Sequence, residues 1–208
     1  MVSNVKLVWI TPDAEKHLAY IARVSNPDNQ ENPNYEKLFK YMMDHGHWSP
    51  FEMASACFEI NTTRDIARQI LRHRSFSFQE FSQRYQDTTK LEYVAPKEAR
   101  LQDTNNRQNS ISTDDNALQE WWVNEQAFIE VISYQLYENA LRKGIAKECA
   151  RVVLPEGLTP SRLYMSGTIR SWIHYLKSRT DPSTQKEHRL IAEQIKEILA
   201  VELPTVFK

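Results

Sequence analysis

Arginine side chains recur at close intervals in the part of the chain from Arg64 to Arg84. Arg64, Arg68 and Arg72 are four residues apart, which would place them along one stripe of a helix. Arginine suits the binding of phosphate, because its planar guanidinium donates two parallel hydrogen bonds and stays charged at neutral pH. The cluster therefore indicates a site for an anionic ligand. The alternative is a solvated basic helix end that complements the helix dipole.

Three consecutive side chains, Arg72, His73 and Arg74, form the densest part of this cluster. Successive side chains on a helix point about 100° apart, so these three would not all contact one ligand from one chain. Two neighbouring anionic ligands, or a site shared between subunits, would use all three. Gln69 lies three residues before Arg72 and four before His73, so its side chain would converge with theirs.

The composition of the 208-residue chain argues against several classes of protein. A formal net charge of −1 gives no overall basic field for a nucleic acid or an anionic membrane. Cys57 and Cys149 lack CxxC spacing, so they predict neither a disulfide nor a zinc site, and both are expected to be packed. His45 and His47 lack a third ligand nearby, so no metal site is predicted. The start of the chain lacks a signal-peptide pattern and no segment is long and apolar enough to span a membrane, which predicts a cytoplasmic protein.

The elements that must position the cluster follow from apolar periodicity. The pattern predicts an α+β fold in one compact domain, 1–208, with a small mixed or antiparallel sheet and several helices. The predicted strands are 5–11, 53–61 and 161–169. The predicted helices that bear on the site are 65–74, 115–143, 170–179 and 187–203. The polar stretch 97–115 predicts an exposed excursion.

Two expectations concern burial. The long helix predicted over 115–143 carries large apolar side chains that are expected to face the core, namely Leu118, Trp121, Trp122, Phe128, Val131, Ile132, Leu136 and Leu141. His17 and His188 have no partner nearby in the sequence and are expected at the surface.

The arginine cluster also fits a longer motif, which is RHR, two residues, Ser, four residues, Ser, one residue, Arg. Its fixed positions are Arg72, His73, Arg74, Ser77, Ser82 and Arg84. The motif resembles the signature of the ThyX-type flavin-dependent thymidylate synthases. Further segments that resemble elements of that family are ARVS at 22–25, HGHWSPFE at 45–52, ARVVLP at 150–155 and SRTD at 178–181. Only the excursion and the extreme C-terminus lie outside the resemblance.

The resemblance implies an activity, its cofactor and its partners. The expected reaction is the reductive methylation of dUMP to dTMP, with 5,10-methylenetetrahydrofolate as carbon donor and with FAD reduced by NADPH. The expected assembly is a homotetramer whose subunits share active sites. The chain has four glycines and neither a GxGxxG motif nor a P-loop, so FAD would have to be held by side chains and helix ends.

The resemblance also implies roles for individual residues. The expected dUMP-binding residues are Gln69, Arg72, Glu80, Ser82, Gln83, Arg84 and Arg151. The expected FAD-binding residues are His47, Ser49, Arg72, His73, Arg74, Glu80, Thr168, Ile169, Arg170 and His174. Arg179 would lie against the uracil ring and favour its N3-deprotonated form, which activates C5. A fixed cation beside a ring on which negative charge develops is a preorganised electrostatic device, so Arg179 is the expected catalytic residue.

The sequence departs from the family pattern at two places, and two other functions remain open. Thr168 stands where the family often has asparagine, and 182–185 replaces a segment that usually carries a histidine. One alternative is a nucleic-acid-binding module that uses the arginine stripe on a phosphate backbone, which the net charge of −1 disfavours. The other alternative is a flavin-dependent uracil methylase that acts on a polynucleotide.

Overall fold

The computed structural model describes residues 3–92 and 95–208. Four antiparallel strands form the main sheet in the order β1-β2-β6-β3, and two short strands form a separate hairpin. The strands are β1 Asn4–Ile10, β2 Ser55–Thr63, β3 Ser77–Glu80, β4 Arg100–Gln102, β5 Ser110–Ser112 and β6 Pro160–Thr168. The helices in the described residues are α1 Ala14–Ala22, α2 Glu36–Asp44, α3 Arg64–Ile70, α4 Asn116–Arg142, α5 Lys147–Ala150, α6 Ile169–Arg179, α7 Lys186–Glu202 and α8 Pro204–Phe207. The predicted α+β class is confirmed.

One face of the main sheet is apolar because side chains alternate along its central strands. Phe58 lies opposite Met165, and Ile60 lies opposite Leu163 in the β2–β6 register. All four side chains are completely buried. They pack against the fully buried Trp172 of α6 and against α7, so the core lies between the sheet and the helices that follow β6.

The main sheet also fixes the position of the chain after α3. Strand β3 pairs with β6, with Ser77 opposite Ser166 and Phe78 opposite Met165. A Cβ atom at Gly167 would collide with the ring of Phe76, so the absence of a side chain there lets that ring lie against β6. The chain before β3 is therefore held close to the start of α6.

The helix predicted over 65–74 is four residues too long. Helix α3 ends at Ile70, and the residues Arg72–Arg74 lie in turns, with hydrogen bonds from the amide of His73 to the carbonyl of Ile70 and from the amide of Phe76 to the carbonyl of His73. The physical reason is tertiary. A helix that continued to Arg74 would prevent Phe76 from entering the core and β3 from pairing with β6.

The predicted burial of the long helix is wrong for the single chain. Helix α4 covers the predicted span, but Trp121 is 54%, Phe128 60% and Leu136 51% exposed. The apolar contact of the helix with the rest of the chain is centred on Tyr137, which is completely buried and packs with Ala150 and Leu154. The other exposed large apolar side chains of α4 are Trp122, Val123, Ile129, Val131 and Ile132, whereas Leu118 and Leu141 are half-buried.

The polar stretch 97–115 contains the β4–β5 hairpin. Buried Gln126 of α4 accepts a hydrogen bond from the backbone amide of Lys97 and donates one to its carbonyl, at 2.9 and 2.8 Å. Gln119 makes the same pair of bonds to Ala99, so α4 holds the base of the hairpin. Within the described ranges, no helix combines the length and the apolar character that crossing a membrane requires.

Candidate active site

The turn that follows α3, residues 71–76, lies along one face of α6. The imidazole of His73 contacts the ring of Tyr175 edge-on, with 4.9 Å between the ring centroids. The hydroxyl of Ser171 donates a hydrogen bond to the carbonyl of Ser75 at 3.1 Å. Two parts of the sequence that are a hundred residues apart are therefore fixed against each other at the densest part of the arginine motif.

Arg179, the last residue of α6, is held by His73. Its Nε donates a hydrogen bond to Nε2 of His73 at 2.9 Å. A guanidinium nitrogen only donates, so Nε2 of His73 carries no proton. Burial, and secondly the charge of Arg179, lower the pKa of His73 to about 4, so this imidazole is neutral at neutral pH. Within residues 3–92 and 95–208 the two terminal nitrogens of Arg179 have no partner, which leaves them free for a ligand.

A buried layer of polar side chains lies behind this pair. The hydroxyl of Tyr175 is 3.1 Å from Nε2 of His188, and Nδ1 of His188 is 3.4 Å from Oε1 of Gln69. The prediction that His188 lies at the surface is wrong, since only 1% of it is exposed. Burial is the main reason that the pKa of His188 is lowered to about 3, and the charge of Arg179 and the presence of His73 add to it. Gln69, one of the expected dUMP-binding residues, therefore belongs to this layer, and His188 links it to Tyr175 of α6.

The sequence contained a signal for the burial of His188. Its position continues the apolar stripe of α7, which comprises His188, Ile191, Ala192, Ile195 and Leu199, all buried. This spacing of three, four, seven and eleven residues is that of one helix face. The partners of a histidine on such a stripe come from other elements, and sequence spacing alone does not name them.

Three arginines of the expected site have guanidinium groups without a partner in the described part of the chain. Arg72 and Arg74 are exposed, and Arg151 is half-buried at the start of the 3₁₀ helix Arg151–Val153. An unpaired guanidinium retains its full capacity for a bidentate bond to phosphate. These three side chains are therefore available to anionic ligands without first breaking an ion pair.

The end of β3 brings further expected dUMP-binding residues to the same sheet edge. Glu80 accepts a hydrogen bond from the hydroxyl of Ser161 at 2.7 Å and lies 3.9 Å from a nitrogen of Arg64. Gln83 is only 4% exposed, and its Nε2 has no hydrogen-bond partner among the described residues. A buried donor without a partner costs about 1–3 kcal/mol, so a ligand that accepts from Gln83 would recover this free energy.

Ser82 and Arg84 lie in the turn after β3. The hydroxyl of Ser82 accepts a hydrogen bond from the amide of Arg84 at 3.4 Å. Arg84 also forms an ion pair with Glu148 at 3.2 Å, and both side chains are more than half exposed. Exposed ion pairs contribute little free energy, so a ligand could replace Glu148 as the partner of Arg84 at small cost.

Most of the other expected FAD-binding residues lie on a different side of α6. His47 and Ser49 are exposed after α2, and the intervening Trp48 contacts His174 edge-on at 4.5 Å. Arg170 forms an ion pair with Glu52, which ends the same 3₁₀ helix that Ser49 begins. Arg170 and Arg179 are nine residues apart, about half a revolution of the helix. The expected FAD-binding residues are thus divided between two faces of α6.

Thr168 and Ile169 have structural roles in the single chain. The hydroxyl of Thr168 accepts a hydrogen bond from the amide of Ser171 at 3.3 Å and so caps the start of α6. The side chain of Ile169 is completely buried, and its amide donates to the carbonyl of Ala54 at 2.9 Å. Both residues fix the beginning of the helix that carries Arg179.

The remaining candidate groups do not form a site. No cluster of three or more histidine, cysteine, aspartate or glutamate side chains that could hold a metal ion occurs in residues 3–92 and 95–208. Cys57 is buried, and burial raises the pKa of its thiol. Cys149 is exposed, contrary to the expectation that it packs.

Comparison with known proteins gives the family. Residues 6–205 match the family model described as thymidylate synthase complementing protein. A flavin-dependent thymidylate synthase of Synechocystis sp. is 56% identical over 189 residues, which are 91% of this chain and 86% of the relative. A probable flavin-dependent thymidylate synthase of Paramecium bursaria Chlorella virus 1 is 52% identical over 196 residues, which are 94% of this chain and 89% of the relative.

A solved structure shares the fold. The UMP/dUMP methylase PolB from Streptomyces cacaoi, bound with 5-Br dUMP, superimposes with a TM-score of 0.85 at 26% identity, covering 99% of this chain and 93% of that chain. The resemblance that the arginine motif indicated is confirmed. The chain belongs to the thymidylate synthase complementing protein family, the ThyX-type flavin-dependent thymidylate synthases.

Proposed function

We propose that this protein converts dUMP to dTMP, with FAD as cofactor, 5,10-methylenetetrahydrofolate as carbon donor and NADPH as reductant. The observation that carries the proposal is the arrangement at the end of α6. There the neutral His73 holds Arg179 by one nitrogen and leaves its two terminal nitrogens without partners among the described residues. The names of the relatives and of the structural neighbour support the same reaction.

The proposed role of Arg179 follows from the chemistry of the substrate. A carbon unit is added at C5 of uracil, and C5 becomes nucleophilic when negative charge develops on the ring. A cation fixed beside the ring stabilises that charge without reorganising during the reaction. The hydrogen bond to His73 restricts the guanidinium before the substrate binds, so Arg179 would be preorganised for this role.

The residues present fit the parts of both nucleotides. For dUMP, Arg72 and Arg151 would bind the phosphate, and the buried Nε2 of Gln83 would find an acceptor. For FAD, the exposed Arg74 suits the diphosphate, while the aromatic pair of Trp48 and His174 suits a flat ring. FAD, when bound, would supply the hydride that completes the methyl group.

We further propose that the enzyme is a homotetramer with shared active sites. The apolar face of α4, with Phe128 60% and Ile132 46% exposed, would be covered by another copy. The expected FAD-binding residues occupy two faces of α6, and two copies would supply one face each to the same cofactor. The proposed substrates are metabolites of the cytoplasm, where we place the activity.

The assembly is tested with a double substitution, Phe128→Glu with Ile132→Glu. Both side chains are exposed in the single chain, so the fold should survive, whereas two charges within an apolar interface should prevent association. Sedimentation should show species smaller than a tetramer, and dTMP formation should fall by at least about tenfold. Lys196→Glu, on the exposed side of α7, is the control that should leave both the assembly and dTMP formation unchanged. A wild-type monomer with full activity would refute the shared site.

The reaction is tested by incubating the purified protein with dUMP, 5,10-methylenetetrahydrofolate, NADPH and FAD, followed by chromatography for dTMP. When the protein has first been freed of bound flavin, omission of any one component should abolish product formation. Competition with RNA addresses the alternative of a polynucleotide methylase. Displacement of dUMP by RNA, together with methylated uracil in the RNA, would overturn the proposal.

A further inference from the structure

A series of side-chain hydrogen bonds runs from the β4–β5 hairpin toward α6. Arg100 of β4 donates to both carboxylate oxygens of Glu187, at 2.8 and 3.0 Å. Nε2 of Gln185 donates to the same carboxylate at 2.9 Å. Both side chains of the ion pair are largely buried, at 13% and 17% exposed. The hairpin is therefore tied to the start of α7 by a shielded ion pair.

The series continues inward to the buried layer of the site. Nε2 of Gln69 donates to Oε1 of Gln185 at 2.7 Å. Oε1 of Gln69 faces Nδ1 of His188 at 3.4 Å, and Nε2 of His188 faces the hydroxyl of Tyr175 at 3.1 Å. We call this series the polar chain; its members are Arg100, Glu187, Gln185, Gln69, His188 and Tyr175.

The charge at the outer end determines the direction of the first links. Although burial opposes ionisation, the hydrogen bonds from Arg100 and Gln185 hold the pKa of Glu187 below its usual value. An ionised carboxylate only accepts hydrogen bonds, so Gln185 must turn its amide nitrogen toward Glu187. The oxygen of Gln185 then faces Gln69, which must in turn present its own nitrogen.

The same reasoning fixes the inner links. With its nitrogen committed to Gln185, Gln69 presents Oε1 to His188, which must donate from a protonated Nδ1. A neutral imidazole has one proton, so Nε2 of His188 accepts from the hydroxyl of Tyr175. Every member from Tyr175 to Gln185 therefore donates toward Glu187, and one carboxylate sets the orientation of two amides and the tautomer of one histidine.

We propose that the Arg100–Glu187 ion pair is a remote positioning device that fixes the amide orientation of Gln69 for the pyrimidine substrate. The proposal rests on the proposed function, in which Gln69 contacts dUMP. The Gln69 amide has a second N–H and a second oxygen lone pair beyond those used in the polar chain. A uracil ring presents both donors and acceptors, so a flipped amide would set donor against donor. One misdirected polar group in a binding site strongly lowers the affinity for the ligand, because buried polar groups are then left unpaired.

The first test is Glu187→Gln, which keeps the shape of the side chain and leaves Arg100 its second partner, Glu98. An amide at position 187 can donate as well as accept, so the direction of the polar chain is no longer imposed. The affinity for dUMP should fall by about tenfold, the usual effect of one lost hydrogen bond, with bound flavin unchanged. Glu98→Gln is the matched control, because Glu98 also pairs with Arg100 but is not in the polar chain; its affinity should stay within about twofold of wild type.

A swap of the two side chains separates orientation from mere structural support. In the double variant Gln185→Glu with Glu187→Gln, a carboxylate at position 185 would again accept from Gln69, while an amide at 187 would donate to it. The direction of the inner links would be restored without the original ion pair. The affinity for dUMP should return to within about threefold of wild type. If the swap binds dUMP as weakly as Glu187→Gln, the ion pair acts only as a structural support and the inference is overturned.

The tautomer of His188 gives a readout that does not depend on activity. Imidazole ¹⁵N shifts, assigned by the signal lost in His188→Asn, should show protonation at Nδ1 alone in wild type and in the swap, and a mixture in Glu187→Gln. A wild-type His188 protonated at Nε2 would overturn the direction. A wild-type protein that shows the expected tautomer but does not bind dUMP would overturn the proposed function and the substrate role of Gln69, and would leave the direction of the polar chain established.

Discussion

Replacement of Arg179 by alanine should reduce dTMP formation by about 100- to 1000-fold, the loss seen when one preorganised donor to a developing charge is removed. The terminal nitrogens of this side chain have no partner in the described residues, so their interaction free energy is available to the substrate. The effect should lie mainly in kcat, because the proposed role of Arg179 is to stabilise the negative charge that makes C5 nucleophilic.

The same variant should keep its flavin. In the single chain, the side-chain hydrogen bond of Arg179 goes to His73, and the expected FAD-binding residues Arg170 and His174 lie on another face of α6. Burial is the main cause of the lowered pKa of His73, so this imidazole should stay neutral at neutral pH without Arg179. The flavin content after purification and the single-turnover rate are the two measurements.

Arg189→Ala provides the control for Arg179→Ala. Arg189 lies near the start of α7, where it donates to the carbonyl of Pro182 and pairs with Glu193 at 3.5 Å. Its loss removes a guanidinium close to the same corner of the fold and should leave turnover within about twofold, since a partly solvent-exposed i,i+4 ion pair contributes little. Wild-type turnover in Arg179→Ala would remove the catalytic role from this residue.

The sequence was sufficient for elements whose signals are local. The predicted strand 161–169 and helix 170–179 differ by one residue from β6 and α6, because alternation gives way to helical spacing at that point. The ends of α4 were equally well predicted, since Asp115 caps the first turn and Gly144 follows the last. These signals require no knowledge of distant residues.

Two errors have causes that the local sequence does not contain. Helix α3 ends at Ile70 because Phe76 enters the core and β3 pairs with β6, a strand more than eighty residues away. The periodicity of α4 identifies an apolar face, as at Phe128, but an apolar face that is exposed in the single chain has the same pattern as one that meets the core.

The candidate site also has a part that could be predicted from the sequence and a part that could not. The motif predicted Arg72, His73 and Arg74 as site residues, because their types and order are specific. The hydrogen bond between His73 and Arg179, and the buried Tyr175 and His188 behind it, join α6, α7 and the turn after α3, which no spacing in the sequence connects. Packing of one helix against another created these contacts, so they became visible only in three dimensions.

Removal of either arginine that is proposed to bind the phosphate of dUMP should give the second large effect, and the effect should differ between Arg72 and Arg151. A hydrogen bond to a charged group contributes about 1.5–3 kcal/mol, so each alanine substitution should weaken dUMP binding roughly ten- to a hundredfold. Arg151→Ala should leave the flavin content unchanged, because this residue is expected only at dUMP. Arg72→Ala should lower both the affinity for dUMP and the flavin content, because Arg72 is expected at both ligands. Titration calorimetry with dUMP and the flavin content of the purified variants measure the two effects.

Arg107 offers the control that makes this comparison specific. It lies between β4 and β5 and is exposed, and its guanidinium has no hydrogen bond or ion pair within the described ranges, as is also true of the guanidinium groups of Arg72 and Arg151. The three alanine variants therefore each remove one unpaired positive charge, and a general electrostatic attraction for nucleotides would weaken equally in all of them. Specific binding predicts that Arg107→Ala retains wild-type affinity while Arg72→Ala and Arg151→Ala do not. An equal loss of dUMP affinity in all three variants, or no loss in any of them, would show that the phosphate is bound elsewhere.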